Sequence, residues 1–343
     1  MFRISRVAAR IGSQALALAL GLTAPAIGAA QEISPEWQKI INAAKAEGTV
    51  TIYSGQGLKQ LNDLAARFKA KYGINVQVVR AVESDLFPKV DVEFQTGRGI
   101  ADILVNSSIT TLLEQEKKGY MVPAVGPAFD NPAYKRTERM PKNTYFETNA
   151  TVLTFSWNTD LYPKGLKDYD SVFDPALKGK LGIPMAKAQG QVDYYLYLTE
   201  NYGQDYVERL AEMKPRAYAG ALPLAQAVAS GEVAATIYGE PLIDEKEAGA
   251  PVGWGLAPKP WGARFYGMVL KTAPHPNAAQ LLANFMVTPE GQEAIARKAA
   301  SALPNIKGAI ATTDTVRKQD PAKLTPEYTK AFGEKWDRLF IGN

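Results

Sequence analysis

The 343-residue sequence has no cysteine, one histidine and only a small excess of positive charge, 39 Lys and Arg against 35 Asp and Glu. Without cysteine there is no disulfide framework, and a chain of this length needs none, because a domain of about 300 residues buries roughly three quarters of the surface its unfolded form exposes. The lone His275 lies in "TAPHPNAA", a proline-flanked turn before a helix, which places it at the surface and away from acid–base chemistry. No phosphate-binding glycine loop, nucleophile motif or metal-ligand spacing is present, so no catalytic residue, metal or cofactor is expected. Internal repeats and low-complexity tracts are also missing, against an adhesive or structural role.

The charge excess belongs to the first thirty residues. Arg3, Arg6 and Arg10 precede the apolar run "IGSQALALALGL" and the small-residue exit "APAIGAA". The run is too short for a helix across ~30 Å of hydrocarbon, and the three parts together form a secretory signal peptide with a cut near Ala30. Residues 1–30 contain three arginines and no acids, which leaves 36 bases against 35 acids, a formal +1. Basic runs interleaved with aromatics do not occur, so nucleic acid is not a partner. The mature chain is expected in the periplasm. Its length suggests two domains of about 150 residues each.

Strands and helices alternate after the leader. "TVTIYS" (49–54) reads as a buried strand, 58–71 as an amphipathic helix, "INVQVVRA" (74–81) as a strand, 86–97 as a helix and "ADILVNSS" (101–108) as a third strand. This spacing predicts parallel pairing, with functional loops at the carboxyl ends Ser54–Gly57, Ala81–Ser84 and Asn106–Ser108. Between 120 and 150 the alternation lapses into a proline- and aromatic-rich stretch, read as a crossing between domains. "NATVLTFSWNTDLY" (149–162) then reads as one strand of a new layer ending at Trp157 and Asn158. Further strands fall at 181–185 and within "GEVAATIYGEP" (231–241), with a helix from near Gln191. Asp91 with Glu93, and Asp244 with Glu245, read as solvated helix faces. The tail beyond 311 reads as two short helices carrying the packing stripe Tyr328, Phe332, Trp336 and Phe340.

The segments "YDSVFDPALKGKLGIP", "ASGEVAATIYGEP" and "HPNAAQLLANFMVTPEGQEAIA" resemble recurrent segments of the type II periplasmic solute-binding proteins of ABC importers. The resemblance spans the mature chain and is strongest to the branch of family 1 extracellular binders with ferric-iron, thiamine and phosphonate carriers. It implies an α/β fold of two lobes, each a mixed sheet flanked by helices, joined by hinge strands. It also implies a monomer that encloses a small-molecule solute between the lobes and delivers it to an ABC permease at the inner membrane. The expected lobes are 31–117 with 262–309, and 118–261 with 310–343. Ferric carriers of this branch have an adjacent tyrosine pair after the strand following "SGE". Here that place reads Ile237, Tyr238, Gly239, Glu240, with one tyrosine, and Tyr194 with Tyr195 lies on an earlier helix.

The residues then expected at the cleft are Ser54, Gln56, Ser107, Ser108, Trp157, Gln189, Gln191, Tyr194, Tyr238 and Glu240. Amides and hydroxyls suit oxygen atoms, aromatic faces an apolar or cationic part, and a carboxylate an amine. The helix start near Leu58 and the segment Gln189–Gln191 add backbone donors for an anionic group. Together they suit a small polar or anionic solute such as an aminophosphonate or carboxylate. Ferric iron on an atypical Tyr238 and Glu240 site is the alternative, and an exported hydrolase with two distant carboxylates a remote one. Ser107 and Ser108 could equally cap the helix beginning near Ile109, and Trp157 could be core.

Overall fold

The computed structural model describes residues 33–342. The leader at 1–30 and its cut near Ala30 lie outside the described residues. After a helix at Pro35–Glu47 the chain lays down β1 (Thr49–Ser54), β2 (Asn75–Arg80), β3 (Ile103–Asn106), β4 (Met121–Val122) and β5 (Phe146–Ala150). It then forms β6 (Thr154–Asn158), β7 (Leu181–Pro184), β8 (Arg216–Tyr218), β9 (Ala235–Gly239) and β10 (Val252–Gly255). The return strand is β11 (Arg264–Leu270), followed by β12 (Ala300–Ser301), β13 (Ala311–Thr312) and a last helix at Pro326–Phe340.

These strands form two mixed sheets flanked by helices. The first has eight strands in the order β13-β12-β5-β11-β3-β1-β2, with β4 paired to β11. The second has five, in the order β10-β6-β9-β7-β8. β1 runs parallel to β2 and β3. Val50–Ser54 and all of β3 are buried, as central parallel strands covered on both faces must be. The helix Leu58–Tyr72 packs Leu61, Leu64 and Phe68 inward and ends at Gly73, whose φ of 76° permits the left-handed cap. In the second sheet β7 runs parallel to β8 and β9, while β6 is antiparallel to β9 and β10.

Each sheet has its own core. Val50, Ile52, Phe68, Leu282 and Phe285 belong to the first, and Phe155, Tyr169, Tyr195, Leu198 and Trp336 to the second. Between the sheets the chain crosses twice, at 151–153 and 256–263. The crossings are paired by Thr151 N–H to the Ala263 carbonyl and Leu153 N–H to the Trp261 carbonyl, each 2.9 Å. Gly262 is required there, because a Cβ would lie 1.8 Å from the Thr151 carbonyl oxygen.

Three expectations change. The segment 149–162 is two strands: Asn149 and Ala150 end β5 in the first sheet, and Thr154–Asn158 open the second. Two short apolar runs joined by "TVL" carry no sequence mark of a change of sheet. The proline-rich stretch from 120 is short 3-10 turns at Pro127–Asp130 and Pro132–Tyr134 that lead into β5. The tail is one long helix, with Phe332 and Trp336 buried against Tyr195 of the second core and a 3-10 turn at Thr313–Thr315 ahead of it. Among the described residues no helix is long and apolar enough to cross a membrane.

Candidate functional site

The carboxyl ends of β1, β2 and β3 lie at one end of the first sheet. Antiparallel β11 begins there, since Tyr266 pairs with Asn106. The carboxyl ends of β7, β8 and β9 lie together in the second sheet, where β6 begins, since Thr154 pairs with Gly239. Both crossings therefore leave from these ends, and an ion-pair cluster joins the two rims. Asp244, on the short helix Ile243–Glu247 after β9, sits 2.5 Å from Lys298 Nζ, 3.9 Å from Lys59 Nζ and 3.9 Å from an Arg297 guanidinium nitrogen. All three cations belong to elements of the first sheet. The hydrogen bond from Lys298 is the main reason the Asp244 carboxyl is held below the ordinary aspartate range. Lys298 adopts φ 59°, rare for a residue with a side chain, and its N–H donates 2.8 Å to the Gly308 carbonyl. Glu240 lies on the same rim as Asp244, where burial and then Glu245 raise its pKa against the opposing pull of Lys298.

The opening loop is fixed from behind. Ser54 Oγ accepts from the Gln56 N–H at 3.1 Å, and Gln56 Nε2 donates 2.6 Å to Asn149 Oδ1 on β5. The Asn149 amide continues to the Ile295 carbonyl at 3.0 Å, and Arg80 Nε reaches the Gln56 carbonyl. Ser54 and Gln56 are buried and their side chains hold the loop, while Gly57 at its end is exposed. Gly57 is the N-cap of the following helix and supplies no side-chain cap, and the Gln60 side chain folds back beside it. A helix start next to a lysine attracts negative charge.

Ser107 donates its hydroxyl to Glu83 at 2.8 Å, and its N–H also goes to Glu83. Ser108 is the N-cap of the helix Ile109–Lys117 and accepts from the Thr111 N–H. Gln191 accepts the N–H groups of Lys187 and Ala188, 3.0 Å each, and donates to the Ala219 carbonyl. Gln189 turns away to the Leu324 carbonyl at 2.8 Å. It lines a cavity of about 510 Å³ with Lys187 and residues of the last helix. The Tyr194 hydroxyl donates 2.9 Å to the Ile237 carbonyl in the second core, and Tyr238 packs edge-on at 4.8 Å. Burial raises the pKa of both phenols.

The expected ten thus do not form one cluster. Ser54, Gln56, Ser107 and Ser108 lie at the first rim, and Glu240 at the second with Tyr238 behind it. Trp157 lies at the far end of the second sheet, because β6 is antiparallel and Trp157 pairs with Ala235 at the start of β9. Its ring covers Gly253 and Gly165, where a Cβ would sit 2.3 and 2.7 Å away. Of the two pairs expected on solvated faces, Glu93 is buried, taking the Tyr53 hydroxyl and the N–H groups of Ile100 and Ala101, while Asp244 stays 46% exposed and bridges the rims. Sequence reasoning passed over Lys59, Arg297 and Lys298 and read Asp244 only as part of a solvated face, since charges on separate helices carry no mark of their convergence. Asn106 entered only as a strand end.

Two sheets that face each other by their strand ends, with paired crossings between them, define a two-lobed solute-binding architecture. A sequence profile described as bacterial extracellular solute-binding protein matches residues 50–298, and the chain belongs to that family. No curated protein matches the sequence. Iron-bound HitA from Pseudomonas aeruginosa has the same fold at 20% identity and a TM-score of 0.64, over 85% of this chain and 99% of that one. The substrate-binding protein of an ABC transporter from Agrobacterium tumefaciens matches at 16% identity and 0.69, over 87% and 96%. AfuA from Actinobacillus pleuropneumoniae, with fructose-6-phosphate bound, matches at 20% and 0.62, over 86% and 99%.

Proposed function

We propose that the protein is the periplasmic binding component of an ABC importer, a monomer that captures a small anionic solute between its lobes and hands it unchanged to a membrane permease. The observation that carries this reading is the meeting of the Gly57–Lys59 helix start with the Glu240–Asp244 rim across the sheets, where ion pairs from Lys59, Arg297 and Lys298 to Asp244 are ones a solute can exchange. The first rim offers a helix start without a side-chain cap and the cations Lys59, Arg297 and Lys298. In a closing cleft such donors gain strength as water leaves. Phosphonates, phosphates and carboxylates suit them. The ferric reading is less favoured, because Tyr194 and Tyr238 are core phenols whose burial opposes the phenolate a ferric ion needs.

Taking the lobes to follow the sheets, the first comprises 35–150 with 264–312 and the second 154–255 with the last helix. The segment 118–150, first assigned to the second lobe, then moves to the first with β4 and β5. The test is native mass spectrometry of protein purified from its own periplasm, followed by release of the retained solute. An anion recovered unchanged from a chain beginning near Gln31 supports the reading. A retained metal cation, a chemically altered solute or an intact Met1 terminus counts against it.

A further inference from the structure

We propose that the side-chain amide of Asn106 is a ligand contact that reads a hydroxyl group, so that the solute is a hydroxylated anion; this rests on the anionic-solute reading above. Asn106 is the last residue of β3, fully buried, and neither Oδ1 nor Nδ2 has a hydrogen-bond partner in the protein. A buried amide with both ends unspent costs stability, and such a group in a native fold calls for a reason. The other two parallel strand ends are spent. Ser54 is bonded to Gln56, and Arg80 reaches the Gln56 carbonyl.

The surroundings hold Asn106 in place without satisfying it. Across the antiparallel pair it faces Tyr266, as Leu104 faces Met268 two residues earlier, so Asn106 shares a face of the sheet with Tyr266. The Tyr266 ring is fixed edge-on to Tyr145 at 5.8 Å. Immediately after Asn106, Glu83 at the start of the helix Glu83–Thr96 takes both the N–H and the hydroxyl of Ser107. Asn106 thus directly precedes Ser107 and Ser108, which meet the starts of the helices Glu83–Thr96 and Ile109–Lys117, at the rim already assigned to the solute.

An amide offers an acceptor and donors side by side. An ammonium group would satisfy Oδ1 and leave Nδ2 orphaned. A bare phosphate or carboxylate oxygen would satisfy Nδ2 and oppose Oδ1. A hydroxyl both donates and accepts, and satisfies both ends at once. The anionic end of the solute then lies toward Lys59 and the Gly57 helix start, and its hydroxyl-bearing end toward β3.

The test measures binding of fructose 6-phosphate, glycerol 3-phosphate, ethyl phosphate and n-propyl phosphate to the full mature chain by calorimetry in mildly alkaline buffer, where the phosphate groups carry no P–OH, with Asn106→Leu and Asn106→Ala beside the wild type. The hydroxylated phosphates should bind about five- to tenfold more tightly than the other two, the worth of roughly one net hydrogen bond. Both variants should erase that margin, and Asn106→Leu should raise the melting temperature of the unliganded protein by removing the orphaned groups. If both variants keep the margin, or Asn106→Leu melts lower, the amide serves the fold and the inference is overturned while the anionic-solute reading stands. If the wild type binds none of the four, the phosphate form of the anionic-solute reading fails and the inference falls with it.

Discussion

Replacing Asp244 with asparagine should loosen the closure of the two lobes without unfolding either. Asp244 is the one carboxylate on which Lys298, Lys59 and Arg297 converge, at 2.5, 3.9 and 3.9 Å, and all four side chains keep contact with solvent, from 21% exposure at Lys298 to 72% at Lys59. Exposed ion pairs contribute ~0.2–1 kcal/mol each, and only the Lys298 contact has close geometry, so the cluster is worth about 1–2 kcal/mol. That is roughly a 5- to 30-fold shift of the open–closed balance toward open. Small-angle scattering of the unliganded protein should show a larger radius of gyration for Asp244→Asn, with an unchanged circular dichroism spectrum. Salt should do the same to the wild type, since the screening length falls to ~3 Å at 1 M. Acid should as well: the Asp244 pKa lies below its usual 3.8, so its contribution is complete above that value and disappears as pH falls through the lowered one. A variant whose scattering matches the wild type at low salt would refute the bridging role.

Gly262→Ala places a methyl group 1.8 Å from the Thr151 carbonyl and must push the two crossings apart; thermal melting should show a loss of roughly 1–3 kcal/mol, and scattering a changed lobe arrangement. Glu147→Leu leaves the buried Arg264, 2.5 Å away, without its counter-charge, while Arg139 loses a 3.3 Å contact but keeps Asp314 at 2.6 Å; urea unfolding should show a loss of about 3–5 kcal/mol. Trp157→Ala should lower stability, because the ring covers Gly253 and Gly165, yet leave calorimetric affinity for any bound anion unchanged. Gln56→Ala should cost stability, about 0.5–1.5 kcal/mol for the one hydrogen bond lost at the Asn149 oxygen, which keeps the Thr148 hydroxyl at 2.9 Å, and be read in urea melts of the unliganded protein.

The sequence by itself determined the local elements of the first sheet. β1, β2 and β3 and the helices between them lie within a few residues of their expected bounds, because apolar runs of strand length separated by amphipathic helices leave little choice of pairing. It also marked the polar strand ends at Ser54–Gly57 and Asn106–Ser108, since small hydroxyl and glycine residues are what turns require. Strand direction was not legible. β6 has the apolar character of its neighbours, and only its pairing with β9 shows that Trp157 points away from Glu240. Nor was the use of each polar side chain: Gln56, Gln189 and Gln191 have the chemistry of ligand contacts, but in the fold they bond to Asn149, Leu324 and Ala219. The meeting of Asp244 with Lys59 and Lys298, and the unspent amide of Asn106, were decided by tertiary structure alone. Both depend on distances between groups far apart in sequence, and periodicity reports only which face of its own element a residue occupies.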